Sequence, residues 1–234
     1  MISNFTAADV PTQQGKTFFI TGANTGIGFA AAEVLAERGA RVLLGCRSPA
    51  RAEAAVEQIR AAHPATDLDI VALDLGDLAS VRQAAEVVAA EPRLDGLLNN
   101  AGIMRAPYRL TKDGFESQFG VNHLGHFALT GLLLPTLEQT AGSRIVVTSS
   151  VGHRSGQILF DDINASERYH PMERYYMSKL ANLLFLYELD RRLRAKGSPT
   201  IALGVHPGVS NTDLGRHMSG LFQIVLLPLR FLLS

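Results

Sequence analysis

The chain has 234 residues, of which 47% are hydrophobic and 19% charged, a composition typical of a globular protein and not of a disordered one. Its 22 acidic residues balance its 22 basic ones, so net charge gives no reason to expect binding to nucleic acid or to an anionic membrane. A single cysteine, Cys46, excludes an internal disulfide framework, and residues 1–16 lack the pattern of a secretory signal, so we expect a cytoplasmic protein.

Short apolar runs alternate along the chain with longer stretches of helical pattern. Such runs predict strands buried in a sheet that is covered on both faces, and they lie at 16–21, 41–45, 69–73, 95–99, 144–148 and 200–205. Helical patterns lie between them, near 27–38, 48–62, 77–90, 114–140 and 174–196.

This alternation predicts an α/β fold, a doubly wound parallel sheet of the Rossmann type with about six strands and helices on both faces. Ligands of such sheets bind at the carboxyl ends of the strands. We expect one dinucleotide-binding and catalytic domain over 1–234, with 1–14 as an N-terminal extension and 214–234 as a lid or tail.

A glycine-rich turn, T-G-A-N-T-G-I-G over residues 21–28, follows the first predicted strand and opens the first predicted helix. Glycine permits positive φ and lacks a Cβ, so backbone N–H groups can approach a phosphate at the helix N-terminus. The alternative is a tight connection without a ligand. The position of the turn favours a pyrophosphate site formed by Gly22, Asn24, Thr25, Gly26, Ile27 and Gly28.

The second predicted strand ends close to Arg47, where a carboxylate would bind a ribose 2′-hydroxyl and favour NAD. A guanidinium there can bind a 2′-phosphate through two charge-assisted hydrogen bonds, although it can equally be a solvated loop arginine. Ser48 as N-cap and Pro49 at the first helical position predict that a helix starts directly afterwards. We therefore expect NADP(H) to be preferred over NAD(H).

Further cofactor contacts are expected where the later strands end. Asp74 can accept a hydrogen bond from an adenine amino group, or it can cap the helix that begins near Asp77. Asn99 and Asn100 can tie strand ends together, and the small residues after them let a ribose approach. The loop after the sixth strand can reach a carboxamide. These positions add Asp74, Leu75, Asn100, Ala101, Gly102, Pro207, Gly208, Val209 and Thr212 to the predicted cofactor site.

The best candidates for proton transfer are Tyr175 and Lys179, which lie four residues apart and therefore on one face of a helix. A tyrosine that acts near neutral pH needs its pKa lowered from about 10 towards 7, about 4 kcal/mol of differential stabilisation. A nearby ammonium and an oxidised nicotinamide are plausible sources of it. Tyr176 is a competing phenol, but its spacing to Lys179 points it to another face.

Two polar residues complete the candidate site. Ser150 follows the fifth predicted strand, where a hydroxyl can stabilise a developing alkoxide or simply serve as a turn residue. Asn122 lies inside a long helical pattern, and because asparagine is a poor residue for helix interiors it predicts a polar role at a local irregularity. His123 and His126 lack a third ligand at a sensible spacing, so we expect no metal site.

Together these motifs resemble the short-chain dehydrogenase/reductase family, specifically its branch of retinol dehydrogenases and WW-domain oxidoreductases, over roughly residues 15–220. The resemblance implies that Tyr175 is the general acid/base and that Lys179 binds the nicotinamide ribose and lowers the phenol pKa. It also implies that Ser150 orients the carbonyl and that Asn122 holds a water in a proton relay.

Two local features carry the resemblance to this branch. One is the sequence Gly45-Cys46-Arg47 at the end of the second strand, and the other is the long segment between Ser150 and Tyr175, which is expected to wall the substrate pocket. Family members usually continue past 221–233 into another helix and a seventh strand, so that strand is expected to be missing here. The apolar run 221–233 is too short to span a bilayer; a lid is favoured, and peripheral membrane contact is the less favoured alternative.

The leading hypothesis is therefore an NADP(H)-dependent oxidoreductase that interconverts an apolar aldehyde or ketone and its alcohol. The alternative is an NADP(H)-binding sensor or scaffold protein with little turnover. A nucleotide-sugar epimerase or dehydratase ranks last because it usually has other glycine spacing and a larger C-terminal domain. Helical stretches at 122–137 and 180–189 are apolar on more than one face, which predicts a homodimer.

Overall fold

The computed structural model describes residues 5–208. Six parallel strands form one sheet in the order β3-β2-β1-β4-β5-β6. The strands are β1 (Thr17–Thr21), β2 (Arg41–Cys46), β3 (Asp67–Ala72), β4 (Gly96–Asn99), β5 (Arg144–Thr148) and β6 (Ile201–Val205). The order reverses between β1 and β4, so the strand ends on either side of that point form a crevice at the carboxyl edge of the sheet.

Helices cover both faces of the sheet, which confirms the predicted fold class. They are α1 (Gly26–Glu37), α2 (Pro49–Ala62), α3 (Leu78–Ala89), α4 (Ser117–Phe119), α5 (Gly125–Glu138) and α6 (Pro171–Lys196). Short 3-10 turns lie at Ala7–Asp9, Val151–Ser155 and Phe160–Asp162, and a π-helical turn, Gly120–Leu124, joins α4 to α5.

The core has two layers because successive residues of each strand face opposite sides of the sheet. Side chains on one face, among them Phe19, Leu43 and Leu97, pack against α3, α5 and α6. Those on the other face, among them Ile20 and Leu44, pack against α1 and α2. The functional strand ends are thus held from both sides by buried apolar side chains.

Two strand and helix predictions differ from the structure in detail. The strand expected to be buried at 69–73 is β3, an edge strand that begins at Asp67 and leaves Asp69 and Ile70 exposed. Helix α2 has Ser48 at its N-cap and Pro49 at its first position as predicted, but the Ser48 side chain makes no capping hydrogen bond.

The long helix predicted at 114–140 begins instead at Ser117 and contains the π-helical turn. The buried Glu116 carboxylate starts it by accepting hydrogen bonds from the N–H groups of Gln118 and Phe119, at 2.8 and 2.9 Å. At the π turn the N–H of Gly125 bonds to the carbonyl of Gly120, one residue further back than in an α-helix. The irregularity expected around Asn122 is therefore confirmed.

The last strand leaves apolar side chains uncovered on one face. Ile201, Leu203 and Val205 are exposed, whereas Ala202 is buried. No helix within residues 5–208 combines the length and apolar character that crossing a membrane would need. The segment 214–234, predicted as a lid or tail, lies outside the described residues, as do Val209 and Thr212.

Candidate active site

The glycine turn after β1 is closely packed and adopts backbone conformations that favour glycine. Gly22 has φ of 68° and Gly26 has φ of 57°. A Cβ on Gly28 would lie 2.5 Å from both the Gly22 carbonyl oxygen and the Asn100 amide nitrogen, and a Cβ on Gly22 would lie 3.0 Å from the Cα of Ala101. The turn is thus a cradle without side chains at the N-terminus of α1, which fits the pyrophosphate of a dinucleotide.

Hydrogen bonds tie this cradle to the end of β4. The hydroxyl of Thr21 accepts from the backbone N–H groups of Asn100 and Ala101, both at 3.0 Å. The side-chain amide of Asn100 donates in return to the Thr21 carbonyl at 2.9 Å. Asn99 reaches in the other direction and donates to the Thr130 hydroxyl on α5 at 2.8 Å. Asn100 therefore joins the ends of β1 and β4, the role that was expected of the pair, whereas Asn99 joins the end of β4 to α5.

His126, for which the sequence favours a surface or packing role over a metal-binding one, belongs to the same network. Its Nδ1 lies 3.0 Å from the carbonyl of Asn122, an acceptor, so Nδ1 carries the proton. Its Nε2 therefore accepts from the Thr21 hydroxyl, 2.8 Å away. Burial lowers the pKa of His126 to about 4, so the ring is neutral near pH 7. Within residues 5–208 no group of three or more histidine, cysteine or acidic side chains is placed to hold a metal.

Asn122 connects the segment after β4 to α6. Its side-chain oxygen accepts from the N–H of Ile103 at 2.8 Å, and its amide donates to the carbonyl of Ile103 at 2.9 Å and to the Ser178 hydroxyl at 3.0 Å. The π-helical turn brings this fully buried side chain inwards. Asn122 thus fixes the chain directly after Gly102, where a cofactor ribose is expected.

Tyr175 and Lys179 lie on one face of α6 and are 5% and 3% exposed. The Lys179 ammonium lies 5.8 Å from the centre of the Tyr175 ring and donates to the carbonyl of Thr148, at the end of β5, at 3.1 Å. A Cβ on Gly102 would be 3.6 Å from the same ammonium. The ends of β4 and β5 therefore meet α6 at these two side chains.

Ser150 completes the group, since its hydroxyl lies near enough to the Tyr175 phenol to influence the pKa of that phenol and accepts from the N–H of Gly152 at 3.2 Å. Burial raises the pKa of Tyr175, and the Ser150 hydroxyl works in the opposite direction. Burial also lowers the pKa of Lys179 to about 8. The protein alone thus keeps the phenol protonated, whereas the sequence led us to expect that the lysine would lower its pKa. A protonated phenol is the form that donates to a carbonyl oxygen.

The end of β2 presents two arginines beside the cradle. Arg47 follows the strand, and Arg51 lies one helical turn later on α2; both are exposed. A cavity of about 200 Å³ lies between α2 and the glycine turn, lined by Asn24, Thr25, Arg51, Ala54, Ala55 and Gln58. Sequence reasoning missed Arg51, although its four-residue spacing from Arg47 at a helix start was a usable signal.

The remaining predicted cofactor residues lie on the same edge of the sheet. Asp74 follows β3 and accepts from the N–H of Gly76 at 2.9 Å, while Asp77 accepts from the N–H of Ala79 and so caps α3. The capping role considered for Asp74 is therefore wrong, and its role toward adenine stays a prediction. Leu75 is buried next to Gly125. Pro207 and Gly208, with φ of 68° at the glycine, directly follow the end of β6.

Comparison with known proteins agrees with this geometry. A profile of the short chain dehydrogenase family matches residues 16–219. The chain belongs to this family. It is 49% identical over 221 residues to mouse retinol dehydrogenase 14, covering 90% of this chain and 66% of the mouse protein. It is 50% identical over 208 residues to human retinol dehydrogenase 13, covering 88% and 62%. It thus lies in the retinol-dehydrogenase-like branch of the family and spans under two thirds of the length of these curated relatives.

A solved structure shows the same fold. The crystal structure of an uncharacterised protein from Mycobacterium paratuberculosis superposes with a TM-score of 0.80 at 49% identity, covering 91% of this chain and 75% of that one.

Proposed function

We propose that this chain is an NADP(H)-dependent oxidoreductase that interconverts an apolar aldehyde or ketone and its alcohol. The observation that carries the proposal is the buried pair of Tyr175 and Lys179, with the half-buried Ser150 next to it, beside a glycine cradle that admits no side chain. The cradle fits a dinucleotide because Gly22 and Gly28 leave backbone rather than side-chain atoms at the start of α1. A bound nicotinamide supplies or accepts the hydride.

Each polar side chain of the group has a distinct task in carbonyl reduction. Tyr175 donates its proton to the carbonyl oxygen as general acid and takes it back in the reverse direction. The Ser150 hydroxyl holds the carbonyl oxygen next to that phenol and stabilises negative charge as it forms. The Lys179 ammonium, anchored on the Thr148 carbonyl, binds the ribose and adds positive charge beside the phenol.

Asn122 acts by positioning. Both polar atoms of its side chain are occupied by Ile103 and Ser178, so it holds the segment after β4 and helix α6 at a fixed separation. A role for Asn122 in a water-mediated relay toward Lys179 remains part of the proposal.

The preference for NADP(H) rests on Arg47 and Arg51. Arg51 lines the cavity next to Asn24 and Thr25, where the adenosine ribose of a dinucleotide would lie in this fold, and the exposed Arg47 follows the end of β2 one helical turn earlier in the chain. Guanidinium groups bind phosphate through paired, charge-assisted hydrogen bonds, and a 2′-phosphate is the group that distinguishes NADP from NAD.

The preference for an apolar substrate has two supports. One is the exposure of apolar side chains in the segment after Ser150, and the other is the names of the similar proteins. Val151 and Phe160, in the segment that follows Ser150, are exposed, with Phe160 80% exposed. The similar mouse and human proteins are named retinol dehydrogenases, and retinol is an apolar alcohol. An apolar aldehyde or ketone is therefore the class of substrate to test first.

We propose further that the protein acts as a cytoplasmic homodimer. Large apolar side chains are exposed on α5 and α6, including Phe127, Leu184 and Tyr187. A second copy of the same chain would cover them through a two-fold interface. Light scattering at micromolar concentration tests this point, and a result of monomer alone would contradict it.

The proposed activity is tested by mixing purified protein with NADPH or NADH and a panel of aldehydes that includes retinal. Loss of the reduced-nicotinamide absorbance is expected with NADPH and an apolar aldehyde. Tyr175→Phe removes the proton donor and should abolish turnover, whereas the matched control Tyr176→Phe should retain it. Full activity in Tyr175→Phe would overturn the mechanism, and NADPH binding without turnover across the panel would favour the sensor alternative.

A further inference from the structure

The segment that joins β5 to α6, residues 151–170, is here called the wall segment. It starts directly after Ser150 and ends where α6 begins, and α6 is the helix that carries Tyr175. At its start, Gly152 and Gly156 pack against Tyr176 so closely that a Cβ on either would lie 2.6 Å from an atom of that residue. The wall segment thus follows Ser150 in the chain and packs on the residue next to Tyr175, so its position is coupled to the two residues that the proposed function places at the substrate carbonyl.

The middle of the wall segment is held by apolar contacts. Ile158, Leu159 and Ile163 pack against a small cluster formed by Phe119, Met177 and Ala181, the last two lying on α6 beyond Tyr175. This cluster is separate from the two main core layers. Contacts of this kind are not directional, so they leave the exact register of the segment to other interactions.

Arg174 supplies those directional interactions. Its side chain is 1% exposed, and one terminal nitrogen donates to the carbonyls of Asp162 at 2.6 Å and Ile163 at 3.4 Å. The other donates to the Asp162 carboxylate at 2.7 Å and to the Arg168 carbonyl at 3.1 Å. One guanidinium thus binds four oxygen atoms of the wall segment. Its Nε has no hydrogen-bond partner among the described residues.

Asp162 extends the same arrangement into the turn that follows it. The carboxylate oxygen that does not face Arg174 accepts from the N–H and hydroxyl of Ser166, at 2.7 and 3.0 Å, and from the N–H of Glu167 at 3.3 Å. Within this turn Ala165 has φ of 54°, an uncommon value for a residue with a Cβ. The ion pair therefore maintains a strained turn in one conformation.

The Arg174 guanidinium is buried, whereas the Asp162 side chain is 14% exposed. An ion pair that removes a charge from water in this way adds little net stability compared with apolar residues of the same volume. Retaining one here, with a donor left unpaired, makes sense if it fixes a geometry. We propose that Arg174 is a positioning residue that acts through Asp162 to fix the wall segment and so determines which carbonyl substrates fit beside Tyr175. This inference rests on the proposed function and deepens it.

The test compares two conservative changes with one control change in a neighbouring ion pair. Arg174→Lys keeps the charge but loses the fork that reaches four acceptors, and Asp162→Asn keeps the shape but removes the negative charge. The control is Glu173→Gln, which breaks the exposed Arg168–Glu173 ion pair between the same two segments, whose side chains are 74% and 44% exposed. Each protein is first checked for folding by circular dichroism and NADPH binding.

We expect both changes to raise KM for a bulky aldehyde such as retinal by about tenfold relative to a small one such as propanal, because displacement of a positioning contact can cost up to about a hundredfold. Binding of NADPH should stay within about twofold of wild type, as should every parameter of Glu173→Gln. Limited proteolysis should cut the wall segment faster in the two variants. Folded variants with an unchanged ratio of KM values and unchanged cleavage would overturn the inference.

The two proposals fail in distinguishable ways. If the wild-type protein fails to oxidise NADPH with any of the aldehydes tested, the proposed function fails. The rate of proteolytic cleavage in the wall segment then decides by itself whether Arg174 fixes that segment. If Arg174→Lys does not fold, Asp162→Asn decides, because it leaves the buried guanidinium with its three carbonyl acceptors.

Discussion

The replacement of Gly28 by alanine is a direct probe of the cofactor cradle. Its new methyl group would lie 2.5 Å from the carbonyl oxygen of Gly22 and from the side-chain nitrogen of Asn100. Neither neighbour can move freely, since the first is backbone of the glycine turn and the second is hydrogen-bonded to the Thr21 carbonyl at 2.9 Å. Ordinary contacts begin near 3.4 Å, so the cradle must open by about an ångström.

The expected cost follows from these contacts. Overpacking of a rigid site costs about 1–3 kcal/mol, and a weakened Asn100–Thr21 bond costs about 1 kcal/mol more. The better helix propensity of alanine offsets about 0.5–1 kcal/mol of this. We expect a net loss of about 2 kcal/mol, which lowers Tm by about 4–8 °C in a chain of this size. Because the opened turn also moves the N–H groups away from phosphate, the Kd for NADPH should rise at least about tenfold.

Thermal unfolding followed by circular dichroism and NADPH titration followed by fluorescence measure the two effects. The control is Gly131→Ala on α5, where a Cβ meets no atom within 4 Å outside its own helix and should be neutral or slightly stabilising. If Gly28→Ala kept the Tm and the NADPH affinity of wild type, the close packing of the cradle and its role in binding would both be refuted.

Three further outcomes are expected. The double change Arg47→Ala and Arg51→Ala should raise KM for NADPH by at least about tenfold and leave KM for NADH unchanged, because each removes a charge-assisted contact to the 2′-phosphate. Equal changes in KM for both cofactors in steady-state assays would contradict the assignment of these arginines. The rate kcat/KM for aldehyde reduction should fall above about pH 8, where the pKa of Lys179 lies, and a profile that is flat there would count against its role. The pKa of His126 is about 4 in the folded state and near 6.5 in the unfolded chain. The free energy of unfolding should therefore be unaffected by this residue above about pH 6.5 and should fall by up to about 1.4 kcal/mol per pH unit as pH falls towards 4. Urea unfolding should show that the free energy of unfolding drops less between about pH 7 and about pH 5 in His126→Gln than in wild type.

The fold could be predicted because its determinants are local in the sequence. Apolar runs separated by helical patterns give the strands and helices, and their alternation implies parallel pairing with crossovers. What the runs do not show is the position of each strand within the sheet. β3 was therefore expected to be buried, whereas it lies at the edge with Asp69 and Ile70 exposed.

The candidate site could be predicted where spacing alone places residues together. Tyr175 and Lys179 share a helix face because they are four apart, and Asn122 marked an irregularity because asparagine is unfavourable inside a helix. His126 and Arg174 gave no comparable signal. Their partners, Thr21 and Asp162, are distant in sequence or lie within an irregular loop, so only the folded chain shows the contact.

Electrostatics were predicted least well. The sequence places an ammonium near the Tyr175 phenol but contains no information on how deeply either is buried. In the structure burial dominates, and it raises the pKa of Tyr175 and lowers that of Lys179. The protein thus presents a protonated phenol, and the positive charge of an oxidised nicotinamide would be needed to favour the phenolate in alcohol oxidation.

The central claim is that this site transfers hydride to a carbonyl carbon while Tyr175 supplies the proton. The most direct test uses NADPH with both hydrogens at C4 of the nicotinamide replaced by deuterium, an apolar aldehyde and the wild-type protein, and analyses the product by mass spectrometry. We predict an alcohol that carries one deuterium on the former carbonyl carbon. An absence of alcohol, or an alcohol without deuterium, would contradict the assignment.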